Sequence, residues 1–287
     1  MNRLTGIAVF ALSSLFLAAG ANAQSGSAGA ASGASAASTG KNNTTVGRDT
    51  SPLNPENSLE IIKPPTPAEE KAFKAFNSFQ KMSNEDLIRK SQAGEDFVKK
   101  YPSTEYTPFV YSFLTVAYIQ QGAVDKAIAS GERDLALNPK DLRTMAVLSQ
   151  SLSRLVKDSS PDAPAQLSKA ETYGRNAIAG VPTLEKPEKM TEDNFAAQKN
   201  QILNMAHSGI GLVYVHRQDY PKAIAELEQA VGIGPNDDPT NFYLLGVSNL
   251  NSQHYDKAKD AFEKCAAMKG QLQETCAGGA KQAASAK

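Results

Sequence analysis

The chain has 287 residues, with 30 Lys and Arg against 30 Asp and Glu, 41% hydrophobic residues and 7% aromatic residues. Zero net charge leaves no field to draw nucleic acid or an anionic membrane surface, and the apolar content suits a soluble globular core rather than a multispan membrane protein. With no Trp, three His and two Cys, the chain lacks ligands for a zinc ribbon or an iron–sulfur centre and staples for a multi-disulfide scaffold.

Residues 1–23 read as a secretory signal peptide. Arg3 supplies the positive start, residues 4–19 form an apolar run, and Ala21-Asn22-Ala23 makes a small-residue cleavage site before Gln24. The alternative is an uncleaved anchor, which would be the chain's one membrane contact. The apolar run is shorter than the ~20 residues that a span requires, so cleavage is expected. Export places the mature chain in the periplasm or outside the cell. Residues 24–65 are rich in Ser, Gly, Ala and then Pro, with one short apolar pair, Ile61-Ile62. Such a segment buries too little to offset its ordering entropy and reads as a disordered tether.

Order is expected from Thr66-Pro67-Ala68-Glu69 onward. Thr66 and Glu69 have the spacing of a capping box, and Pro67 suits the first helical position. No alternating run or β-branched cluster follows, so the whole of 66–287 is predicted to be helical. Residues 68–81 and 83–101 read as a degenerate helix pair. Three segments then superimpose, with Lys-Ala pairs ending at Ala127, Ala223 and Ala258. Tyr118 and Tyr214 lie nine residues before their Ala, and Pro139 and Pro235 twelve residues after it. A fourth copy, marked by Met145, Leu148, Lys169-Ala170, Ala177 and Pro182, lies between the first two. Its helices are separated by an insertion at 157–164. Residues 184–204 lengthen the helix that enters the copy near His207, and 271–287 read as a C-terminal capping helix.

This register resembles the tetratricopeptide repeat, a helix–turn–helix unit of 34 residues. The helix A pattern falls on Tyr111, Leu114 and Tyr118, on Ile210, Gly211 and Tyr214, and on Phe242, Leu245 and Gly246. The helix B pattern falls on Ala223, Leu227 and Ala230, and on Ala258 and Phe262. The chain departs from the pattern at Gly131, Asp134, Asn249, Cys265 and Gly270. The close crossing of the two helices explains the small residues, and Pro stops helix B. The resemblance implies an all-α, right-handed α-solenoid of about four repeats.

It also implies a non-enzymatic scaffold that binds a protein or peptide partner in a concave groove lined by the A helices. A second reading is a structural accessory subunit of an envelope assembly or secretion machine. The turn at 101–106 is similar to inter-repeat turns common in envelope proteins of this family. Mapped onto this chain, the groove presents Phe109, Ser112, Val116 and Ile119, then Arg154, then Leu212 and Val215, then Tyr243, Val247 and Leu250. The groove is thus expected to be largely apolar, with Arg143 and Arg154 its only fixed cations. Cys265, late on helix B of the last copy, and Cys276, early on the capping helix, are placed to form a disulfide in an oxidising compartment. Two buried free thiols are the alternative, because the family wants a small residue at Cys265.

No hydrolase, metalloprotease or phosphate-loop motif occurs in the ordered part. His207 and His216 are nine residues apart on one helix and face opposite ways, and His254 sits in a turn. No catalytic residue, metal site, cofactor, small-molecule substrate or nucleic acid is expected.

Overall fold

The computed structural model describes residues 65–77, 83–233 and 238–286. The expected signal peptide, nearly all of the tether, and Pro235 lie outside these residues. The described residues form eleven α-helices and no strand: α1 (Pro67–Asn77), α2 (Asn84–Lys100), α3 (Thr107–Gln120), α4 (Val124–Leu137), α5 (Leu142–Leu155), α6 (Ala163–Gly180), α7 (Glu192–His216), α8 (Tyr220–Gly232), α9 (Pro239–Asn251), α10 (Tyr255–Ala267) and α11 (Gln273–Ser285). They pack as five successive A–B pairs with α11 added at the end. Each A helix from α3 onward also touches the next A helix, so the A helices form one layer of an α-solenoid.

Local chemistry sets the helix starts. Thr66 and Ser83 each form a capping box, the second with Asp86. Asp141, Thr191, Asp219 and Asp238 each accept a backbone N–H of the first turn that follows. These side chains satisfy donors that a helix start otherwise leaves unpaired. Pro108, Pro164, Pro221 and Pro239 stand in first turns, where a missing N–H costs nothing.

The A-to-B turn repeats at the level of the backbone. Gly122, Gln218 and Gln253 all have positive φ, at 70°, 57° and 61°. Each lies five residues before the Ala of its Lys-Ala pair. The residue after each closes the helix with a bond reaching five back: Ala123 to Tyr118 at 2.8 Å, Asp219 to Tyr214 at 2.9 Å and His254 to Asn249 at 2.9 Å. This is a Schellman closure, which requires a left-handed residue. Gly fits that conformation without strain, whereas the two Gln residues are held there by the packing on either side.

Packing explains the small residues. Ala127, Ala223 and Ala258 are wholly buried. A Cβ on Gly246 would lie 2.6 Å from the Phe262 ring, and one on Gly279 would lie 2.9 Å from it. Phe262 is therefore wedged between α9 and α11, and α11 covers an apolar end that would otherwise face water. Between repeats, the repeat tyrosines act as hooks. Tyr118 donates to Glu95 on α2, and Tyr214 donates to Glu171 on α6 at 2.6 Å. Lys126 and Lys222, the Lys of the Lys-Ala pairs, lie 5.2 and 5.3 Å from the centroids of those two rings.

Two expected irregularities have specific forms. The insertion is shorter than 157–164, because Ala163 and Pro164 already belong to the first turn of α6. The extra stretch at 184–204 follows a 3-10 turn at Val181–Thr183 and divides into a loop and added N-terminal turns that make α7 25 residues long.

Cys265 and Cys276 are bonded, with Cα atoms 5.8 Å apart and a sequence separation of 11. Chain entropy makes closing such a loop worth about 3 kcal/mol. Thiol titration of the unfolded, unreduced protein should find no free thiol, and reduction should lower the unfolding midpoint. A count of two thiols would contradict the bond.

Candidate partner-binding face

The A-helix layer changes character along the array. On α3, Phe109, Phe113 and Val116 form one stripe, since residues three and four apart share a helix face. Phe109 is 66% exposed, and Ser112, Phe113, Val116 and Ile119 are half-buried. Ser112 Oγ lies 3.2 Å from Thr144 Oγ1 on α5, the first polar contact between neighbouring A helices.

From α5 onward the layer closes. A Cβ on Gly209 of α7 would lie 2.7 Å from the carbonyl carbon of Ser149 and 2.8 Å from the amide nitrogen of Gln150. Helices this close leave no open furrow between them. Gln150 Nε2 donates to Ser208 Oγ at 3.2 Å, and Ser208 Oγ donates to Asn241 Oδ1 at 2.6 Å. This joins α5, α7 and α9 by a buried polar line.

Leu212 and Val215, expected on the groove, are 2% and 3% exposed and lie in the core with Leu227, Leu244 and Leu245. They are therefore structural residues, because the neighbouring A helices cover the face that the resemblance assigned to a partner. Arg154, expected as an open cation, is bonded to Asp238 at 2.8 Å. Tyr243, Val247 and Leu250 are half-buried, packed against the cluster around Phe262, Leu272 and Cys276. Arg143 is exposed. Of the ten expected groove residues, Phe109 alone is exposed.

Two of the histidines, His207 and His216, join neighbouring elements, whereas His254 is exposed in a turn. His207 Nδ1 is 2.7 Å from Glu226 on α8. On the other side of α7, His216 Nδ1 is 2.6 Å from Asp158 in the inserted loop, and its Nε2 is 2.9 Å from the Ser153 carbonyl. Glu171 is the centre of a charged cluster. Burial alone would raise its carboxyl, but hydrogen bonds from Tyr214, Arg217 and Arg175 hold it down to about 2. The cluster ties α6 to α7 on the side away from the α3 stripe. Among the described residues, no group of three or more His, Cys, Asp or Glu is placed to hold a metal ion, and no helix is long and apolar enough to cross a membrane.

Two features were missed by mapping repeat positions. Lys90 on α2 reaches over the rings of Phe76 and Phe113, with Nζ 4.9 and 4.7 Å from their centroids. It lies in the degenerate first pair, where no groove position had been assigned. Asp134 was noted as a departure, but its burial follows only from its place between α4 and α5.

Residues 240–271, spanning α9 and α10, match the sequence profile of the tetratricopeptide repeat. The chain has the tetratricopeptide-repeat fold. Among solved structures, that of PilW, a widely conserved type IV pilus biogenesis factor, is 15% identical with a TM-score of 0.51, covering 77% of this chain and 91% of PilW. A thermophilic tetratricopeptide-repeat protein of Thermus thermophilus is 20% identical with a TM-score of 0.47, covering 74% of this chain and 98% of that one. At these identities the likeness concerns the fold alone. No curated protein shows a significant match.

Asp134 has a distinct pH consequence in this tetratricopeptide-repeat array. It is 0% exposed, and neither carboxylate oxygen makes a hydrogen bond of ordinary geometry. Burial pushes its carboxyl from 3.8 up to about 8, and the charge of Asp141 adds to the rise. The folded state thus binds a proton that the unfolded chain has released. The penalty starts as pH passes about 4, grows to about pH 8 and then levels off. Asp134→Asn should therefore raise the urea midpoint at pH 8 well above that of the parent, with little difference at pH 4. Equal shifts at both pH values would mean that Asp134 does not carry this proton.

Proposed function

We propose that the protein is a non-enzymatic protein–protein interaction scaffold of the cell envelope, and that it holds a segment of a partner against the α3 end of its A-helix layer. The observation that carries this reading is the α3 stripe. An aromatic side chain left 66% exposed at Phe109, beside half-buried Phe113 and Val116, is the part of the layer that the described residues leave least covered. Contiguous exposed apolar surface on such a layer is a feature of interaction sites. The tetratricopeptide-repeat fold supports a protein partner, and the signal sequence expected at residues 1–23 supports an envelope location.

A second reading is a structural accessory subunit of an envelope assembly or secretion machine. The fold shared with PilW, a pilus biogenesis factor, is what favours it. Purification from native membranes and periplasm separates the two. A stable stoichiometric complex favours the subunit, and a free monomer that captures a partner reversibly favours the scaffold.

Phe109→Glu together with Val116→Glu should abolish partner capture while leaving the helical circular dichroism signal and the unfolding midpoint nearly unchanged. Leu212 is unsuitable for such a test, since a buried charge there would unfold the array. Undiminished capture by the double variant would exclude the α3 stripe as the binding surface.

A further inference from the structure

We propose that the α3 end of the A-helix layer, together with Lys90 of the adjoining B helix α2, recognises an extended partner segment in which an apolar anchor adjoins a carboxylate, the anchor resting on Phe109 and Phe113 and the carboxylate on the Lys90 ammonium. This rests on the reading of the α3 stripe as the binding surface and adds the chemistry of its ligand.

Lys100, Lys199 and Lys264 lie over single rings with no carboxylate in salt-bridge range among the described residues, and Lys90 differs from them in lying over two rings, one of which, Phe113, belongs to the α3 stripe. Lys126, Lys169 and Lys222 also lie over tyrosine rings, at 5.2, 6.0 and 5.3 Å from the centroids. Each of them has a carboxylate: Glu95, Glu132 and Asp219 respectively. Lys90 lies over two rings and is paired with no carboxylate among the described residues. The neighbouring acids on α2 are engaged elsewhere. Asp86 accepts from Ser83 in the capping box, and Glu85 is 3.6 Å from Arg89. Burial holds the Lys90 ammonium below its usual range, the response of a cation that has lost water without gaining an anion.

The geometry joins this cation to the stripe. Phe113 is one helical turn from Phe109 on the same face of α3. Its ring meets Phe76 edge-on at 5.2 Å, and Lys90 caps both rings. An apolar side chain laid on Phe109 and Phe113 would therefore carry its backbone past the ammonium. A carboxylate one residue away would gain a charge-assisted contact in a partly desolvated place, where such contacts are strong. A purely apolar segment would leave Lys90 desolvated and unpaired, so the cation selects against it.

The test uses the full chain and a fluorescein-labelled peptide, Gly-Ser-Leu-Glu-Phe-Leu-Gly-Ser, with a Gln-for-Glu counterpart, read by anisotropy. The Glu peptide should bind roughly tenfold more tightly than the Gln peptide. Lys90→Gln should remove that difference and leave the Gln peptide unaffected, while Lys90→Arg should retain most of it. Phe109→Ala should weaken both peptides, by roughly thirtyfold for a central anchor. Thermal unfolding of each variant shows whether the fold is intact. Absence of binding, or equal affinity of the two peptides, overturns the proposal. Binding that depends on Phe109 but not on Lys90 overturns it while the α3 surface stands. Binding indifferent to both residues removes the α3 reading as well.

Discussion

The inner face of this protein depends on how closely α5 and α7 approach. Gly209 lies against the backbone of Ser149 and Gln150, with no room for a Cβ. Once two A helices are that close, the residues between them cannot serve a ligand. Leu212 and Val215 become core, and Gln150, Ser208 and Asn241 turn into a hydrogen-bonded line. The approach carries a cost, since Ser149 Oγ is buried without a hydrogen-bond partner.

At the α3 end the constraint relaxes. Cohesion there includes the Tyr118 hook to Glu95 on α2, with Lys126 lying over the Tyr118 ring. The A side of α3 is consequently free to keep aromatic residues in water. The array divides its labour in space. The B layer joins one unit to the next, the middle of the A layer fixes the spacing, and the α3 end remains for contact. Tightening the joints need not alter the contact surface, because different side chains serve each.

Much of the fold was legible because the repeat leaves its signal in residues that sterics demands. The Lys-Ala pairs marked the register and the crossing point, and Thr66 marked a helix start, whereas the lysines over the tyrosine rings became visible only in three dimensions. The left-handed turns were legible only at Gly122, because Gln218 and Gln253 carry no conformational signature of their own. The site was less legible. Groove positions assigned by register assume the family's usual spacing between A helices, and Gly209 shortens that spacing in a way visible only in three dimensions. Lys90 escaped notice because a degenerate repeat offers no register to count from.

The bond between Arg154 and Asp238 reaches from α5 to α9, past the α7 that lies between them. Repeat arrays ordinarily transmit strain only from one unit to the next, so their ends fray independently. A strut that skips a unit adds a direct link between the first and last of the final three helix pairs. Opening at α9 releases a carboxylate that burial alone would raise and that Arg154 holds low, and it leaves a half-buried guanidinium on α5. Opening at α9 is thereby coupled to α5 as well as to the α7 that touches it. The α3 surface lies outside the span that this strut bridges.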